Sequence, residues 1–167
     1  MSPTTSPEPG GGEQVTAGLA VPVPRDVRSL FEGADLEARF GLAYELVTVD
    51  EDGWPRIAML SHGEIATTPD SVRFVLWSGS TTGENLAAGR PALLSVVSDG
   101  FVCYLSGRAL PLRSTSEFNS FEMSVERVRM DAHEGFPVRS PITFGIEGRD
   151  RNDAVSEWRR QLEVLHD

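Results

Sequence analysis

Ser80, Thr81 and Thr82 stand in a row between a strand-like run ending at Trp77 and a short helical stretch that carries Asn85 and Leu86. Hydroxyls at a helix start can do one of two things. The first N–H groups of a helix lack intrahelical partners and the helix dipole is positive there, which makes a seat for a phosphate. Alternatively, Thr81 with Glu84 three residues later forms a capping box that satisfies the same donors internally. Both readings stand on the residues alone.

The other chemistry-bearing residues are scattered. His62, His133 and His166 lack metal-ligand spacing, so no metal site is expected. His62 follows an apolar strand and reads as a loop or surface histidine, with acid–base work as the alternative. Cys103 sits in an apolar run and reads as a small core residue rather than a nucleophile. Ser95, Ser98 and Ser106 lie on strand patterns without a G-x-S-x-G elbow. Glu51-Asp52 and Asp150 with Asp153 read as turn and cap carboxylates. Arg139 reads as a surface arginine, or as one reaching across a dimer interface towards an anionic substrate. Trp54 and Trp77 suit either a ring contact or a barrel rim. No catalytic side chain stands out.

Composition narrows the partners. The 167 residues are 40% hydrophobic, with a formal net charge of -10. No lysine occurs, so every basic side chain is arginine. An acidic chain without basic runs argues against nucleic acid or an anionic membrane as the main partner. A single cysteine allows no intrachain disulfide. No signal peptide pattern and no membrane-length apolar run is visible, so a cytoplasmic location is expected.

The elements that must position these residues follow in order. Residues 1–24, rich in Pro, Gly, Ser and Thr, are expected to form a disordered tail, with 25–167 as a single domain. Arg25 to Phe40 has a helical pattern that Gly33 splits into two short helices. Leu42 to Val49 and Trp54 to Ser61 read as a hairpin about the Asp52-Gly53 turn. In its second strand Ile57, Met59 and Ser61 face one way, and Arg56, Ala58 and Leu60 the other. His62 to Asp70 is a polar connection with a short extension around Glu64–Thr67. Ser71 to Trp77 is the next strand, and Gly89 and Pro91 end the helix after it. Pro91 to Val97 and Phe101 to Leu112 follow as strands, with Gly107 marking a bulge. Phe121, Met123 and Val125 alternate, and the phase then slips to Val128 and Met130. Pro141 to Ile146 is the last strand. Asn152 to His166 is an amphipathic helix capped by Asn152 or Asp153, with Val155, Trp158, Leu162 and Leu165 on one face. About seven hairpin-linked strands predict a mainly β fold, a closed or partly closed antiparallel barrel with flanking helices.

Gly53-Trp54-Pro55-Arg56, then Asn85-Leu86 and Pro91-Ala92-Leu93, stand in an order that resembles the FMN-binding split β-barrels related to pyridoxamine 5′-phosphate oxidase, over roughly Leu42 to Ile146. The resemblance implies a homodimer with FMN in an interface cleft, acting as an oxidoreductase on a small-molecule substrate. It places Met59, Leu60, Ser61, Trp77 and Ser78 along the flavin ring. Ser80, Thr81 and Thr82 would meet the phosphate, and Asn85 would fix the local conformation. The family carries a cation three residues before Asn85, where this chain has Thr82, so Arg56 is the nearest cation for the phosphate. The W-R-x-x-P signature of true pyridoxamine phosphate oxidases is absent, so that particular reaction is not expected. The alternative is a non-enzymatic barrel that binds flavin, deazaflavin or haem.

Overall fold

The computed structural model of the chain describes residues 13–15, 20–32 and 36–166. Strand β1 (Glu13–Val15) and helix α1 (Arg25–Phe31) come first. Val21, Val23 and Val27 beside them are buried in the core. Gly33 lies outside the described residues. The second short helix expected after it is absent, because Leu36–Phe40 is a series of turns.

The hairpin of β2 (Leu42–Val49) and β3 (Pro55–Ser61) is built as its sequence requires. Gly53 has φ +87, a conformation that costs glycine little, and its N–H donates to Asp50 O to close the turn. A 3-10 turn, His62–Glu64, leads into β4 (Ile65–Thr67) and β5 (Ser71–Trp77). Helix α2 (Thr81–Ala87) then connects to β6 (Pro91–Ser98). Two long strands, β7 (Phe101–Ser114) and β8 (Phe118–Asp131), form the spine. The predicted strand over Pro141–Ile146 shrinks to β9 (Ile142–Thr143), paired with the start of β2. Helix α3 (Arg151–His166) closes the chain. Its cap is Asp150, whose Oδ1 accepts from Asn152 N at 2.7 Å, rather than Asn152 or Asp153.

The strands run antiparallel in the order β3-β2-β6-β7-β8-β5-β4, with β1 on β8 and β9 on β2. The sheet curls into an open half-barrel, as the alternating patterns and tight turns predict. The bulge at Gly107 is real: Ser106 pairs with Arg127 and Gly107 with Val125, so β8 slips by one residue. A Cβ at Gly107 would lie 2.0 Å from Ser124 O, a contact only glycine allows. Inside the curl, Leu46, Phe74, Leu94, Leu105 and Met123 are fully buried, and Leu86 of α2 joins the same core. Cys103 is buried among them. Against the outside, Val155 and Trp158 of α3 pack with Leu36, and Leu165 packs with Val75 and Phe118. This packing is close at Gly63, where a Cβ would come within 2.3 Å of Trp158 Cβ. No helix among the described residues is long and apolar enough to cross a membrane.

Candidate functional site

Helix α2 starts one residue earlier than the capping-box reading expects. Ser80, in an extended conformation, is the N-cap, and its Oγ accepts from Gly83 N at 3.2 Å. Thr81 is therefore the first helical residue, and no Thr81–Glu84 box forms. Thr82 is buried. Asn85, only 1% exposed, locks the helix to the sheet. Its Nδ2 donates to Thr48 Oγ1 at 3.0 Å and to Asp50 Oδ1 at 2.8 Å, and its Oδ1 accepts from Arg90. Arg56 stands opposite Thr48 in the β2–β3 register, so it projects from the same face as this network.

The start of α2 borders a cleft of about 440 Å³ lined by Thr81, Asn85, Arg90, Glu84 and the Asp50–Asp52 turn. Four carboxylates and one guanidinium line it. Arg90 is the cation nearest Asn85. It was missed in the sequence because it lies beyond the helix, across the Gly89 turn.

The ring residues nominated by sequence meet elsewhere, on the outer face of the sheet. Met59, Leu60, Ser61 and Trp77 line one cavity of about 560 Å³. Segment 142–149 and α3 form its other walls. Ile57 and Met59 are 57% and 52% exposed, whereas Leu60 turns into the core and contributes to the cavity wall from there. Trp77 is half exposed, with its ring 4.7 Å from that of Phe118. Ser78 lies outside both cavities, and its Oγ donates to Thr115 O at 3.2 Å. Ser80, Thr82 and Arg56 line neither. The nominated residues thus form two groups, one along the cavity and one at α2.

Polar residues that sequence reasoning passed over complete the cavity: Glu64, Arg149, Glu157 and Gln161. Glu64 Oε2 accepts from Ser61 N at 2.6 Å and Ser61 Oγ at 2.8 Å, a reciprocal capping box on the 3-10 turn. Burial pushes the Glu64 carboxyl up, the Ser61 hydrogen bonds oppose this, and nearby Glu157 adds to the rise. Glu157 Oε2 in turn accepts from Arg149 at 2.6 Å. The Ser61-x-x-Glu64 spacing and the placing of Gln161 three residues after Trp158 on the buried face of α3 were the available signals.

His62 is not a surface histidine. It is 3% exposed, its ring stacks on Phe31 at 5.2 Å, and its Nδ1 shares a hydrogen bond with the Tyr44 hydroxyl at 3.2 Å. Burial, with help from Arg39, lowers it to about 4, and burial pushes Tyr44 up to about 12 against the opposing effect of Arg39. Burial likewise pushes the Cys103 thiol up to about 12, which removes it as a nucleophile. Arg139 is exposed and pairs with Asp99 at 3.4 Å. Among the described residues no cluster of His, Cys, Asp or Glu is disposed to hold a metal.

No family model matches the chain. It is 28% identical over 141 residues to YclD, an uncharacterized protein of Bacillus subtilis strain 168, covering 81% of this chain and 90% of that one. A solved structure from Lactobacillus delbrueckii, named for pyridoxamine 5′-phosphate oxidase, superposes with a TM-score of 0.50 at 14% identity, over 69% of this chain and 98% of the other. The FAD and haem binding protein of Mycobacterium smegmatis also superposes with a TM-score of 0.50, at 13% identity, over 87% of this chain and 79% of its own. The half-barrel, the short helix after β5 and the C-terminal helix therefore make this chain's fold that of the pyridoxamine 5′-phosphate oxidase-like split barrels.

Proposed function

We propose that the protein binds FMN with the isoalloxazine ring in the outer-face cavity, as a homodimer, and acts as a flavin-dependent oxidoreductase on a small molecule. The observation that carries this reading is the convergence of Met59, Leu60, Ser61 and Trp77 on one cavity of about 560 Å³. That space is large enough for a flavin ring with room beside it. The homodimer rests on β3, an edge strand whose Ile57 and Met59 are exposed, next to exposed Trp54. An apolar edge of this kind is normally covered.

A bound flavin would supply the redox chemistry, and the protein the positioning and the exclusion of water. Met59 and Trp77 would flank the ring. Ser61 is committed to Glu64, so its hydroxyl orients that carboxylate. Asn85 would hold α2 against the sheet rather than touch the ligand. Arg56 would carry the phosphate contact with Thr81.

The ring end fits a flavin better than the phosphate end does. A dianion at Thr81 would meet the carboxylates of Asp50, Glu51, Asp52 and Glu84, while Arg90 is engaged with Asn85. This acidic cleft favours the second reading, a barrel that holds a flavin, deazaflavin or haem without turnover. One protein of this fold is an FAD and haem binder. Titrating FMN into Arg56→Ala separates the cases. Loss of a charge-assisted contact weakens binding by about 1.5–3 kcal/mol, and unchanged affinity removes Arg56 from the site. Bound FMN that no reductant bleaches supports the second reading.

A further inference from the structure

The outer-face cavity carries hydrogen-bond acceptors that its own donors do not meet. Both Ser61 donors reach the same Glu64 oxygen, Oε2, at 2.6 and 2.8 Å, which leaves Oε1 without a hydrogen bond among the described residues. Gln161 lines the same cavity, is 1% exposed, and its Oε1 has no partner among the described residues. A buried carbonyl oxygen without a donor is costly and rare in folded proteins. Glu147 and Glu157 add further carboxylates to the lining. The cavity's guanidinium, Arg149, is held by Glu157 at 2.6 Å. Negative charge therefore exceeds positive, and the unmet need is for donors. Burial raises the Glu64 carboxyl first of all, and nearby Glu157 adds to the rise. The lining also holds apolar side chains: Trp158 on α3, and Ile142 and Phe144 on the returning segment.

We propose that the Glu64–Gln161 part of this cavity is a binding subsite for an organic ammonium ion with a compact apolar body. The N–H groups reach Glu64 Oε1 and Gln161 Oε1, and the body lies against Trp158 and Phe144. An ammonium offers three donors and a positive charge. A carboxylate or phosphate would face three glutamates, and an alcohol would leave acceptors unmet. The subsite rests on the cavity of the proposed function being a ligand site and names what it takes beside a flavin. It needs neither flavin nor a second copy of the chain.

The test is calorimetric titration of the full chain at neutral pH with benzylammonium, and with benzyl alcohol and benzoate as probes of the same shape. Benzylammonium should saturate one site per chain, benzyl alcohol should bind at least about tenfold more weakly, and benzoate should not bind. Glu64→Gln keeps an oxygen for Ser61 but loses the charge, and should lose about tenfold or more in benzylammonium affinity. Gln161→Met keeps the volume and loses the acceptor, and should lose several-fold, which decides the matter should Glu64→Gln fail to fold. Benzylammonium that does not saturate into the millimolar range, benzoate that binds as well, or unchanged affinity in both folded variants overturns the proposal. FMN titrated separately keeps the outcomes apart. A protein that takes benzylammonium but not FMN refutes only the flavin reading, and the reverse refutes only the ammonium subsite.

Discussion

Asn85→Ala should destabilise the domain sharply, because Asn85 joins three elements through one side chain. Its carboxamide links α2 to Thr48 on β2, to Asp50 at the hairpin turn, and to Arg90 before β6. The Thr48 bond joins neutral groups and contributes about 1 kcal/mol, and its loss strands a hydroxyl on a residue that is 0% exposed. Asp50 and Arg90 are half-buried and recover water, so their charged bonds count at the low end, about 1.5 kcal/mol each. Together the loss is about 3–4 kcal/mol, and with a urea slope of about 2 kcal/mol/M the unfolding midpoint falls by about 1.5–2 M. Urea denaturation followed by tryptophan fluorescence reads this directly. Asp50→Asn, which keeps an acceptor but drops the charge, should lose only part of it. A loss below about 1 kcal/mol for Asn85→Ala would show that α2 is held by Leu86 and its apolar neighbours, and that the polar network is incidental.

Three further outcomes follow from the same geometry. His62 is held neutral to about pH 4 against 6.5 in the unfolded chain, so its contribution is present above 6.5 and is lost as pH falls through that window. At roughly 1.4 kcal/mol per pH unit the full effect is about 3 kcal/mol. His62→Gln should flatten the wild-type slope of stability between pH 6.5 and 4, and an identical slope would contradict the assignment. Gly63→Ala places a methyl 2.3 Å from Trp158 Cβ. It should cost about 1–3 kcal/mol by displacing α3, seen as a lower melting temperature and a shifted Trp158 emission; an unchanged melt would show that α3 gives way freely. Ile57→Glu puts a charge on the exposed face of β3 and should convert a dimer to a monomer in light scattering, with FMN affinity falling alongside. Wild-type protein that is already monomeric would remove the interface from the account.

What the chain made legible was local. Asp52-Gly53 specified a hairpin, and Gly53 adopts the positive φ that such a turn uses. Gly107 and the apolar slip from Val125 to Val128 specified a bulge, and the register breaks there. Hydroxyls in a row specified a helix start but not its frame, because Ser80, Thr81 and Thr82 are chemically equivalent caps. The phase was set by Ser80 lying extended after Gly79. His62 was misread because the 3-10 turn that tucks it under Phe31 is only three residues long and has no periodicity. The cavity was half legible. Its Met59–Ser61 wall lies on a patterned strand, whereas Glu64, Arg149 and Gln161 come together only when α3 packs on Gly63. Pro141 to Ile146 was read as a strand, but only Ile142 and Thr143 pair with β2, and Phe144 to Glu147 line the cavity instead.

The central claim is that this barrel holds a flavin against Met59 and Trp77. It is tested most directly by the visible spectrum of the full chain, as purified and on titration with FMN. The account predicts a perturbed flavin band and quenched flavin fluorescence that saturate at one FMN per chain, with Trp77→Ala weakening the effect. A colourless protein that leaves the FMN spectrum and fluorescence unchanged when in excess would contradict it.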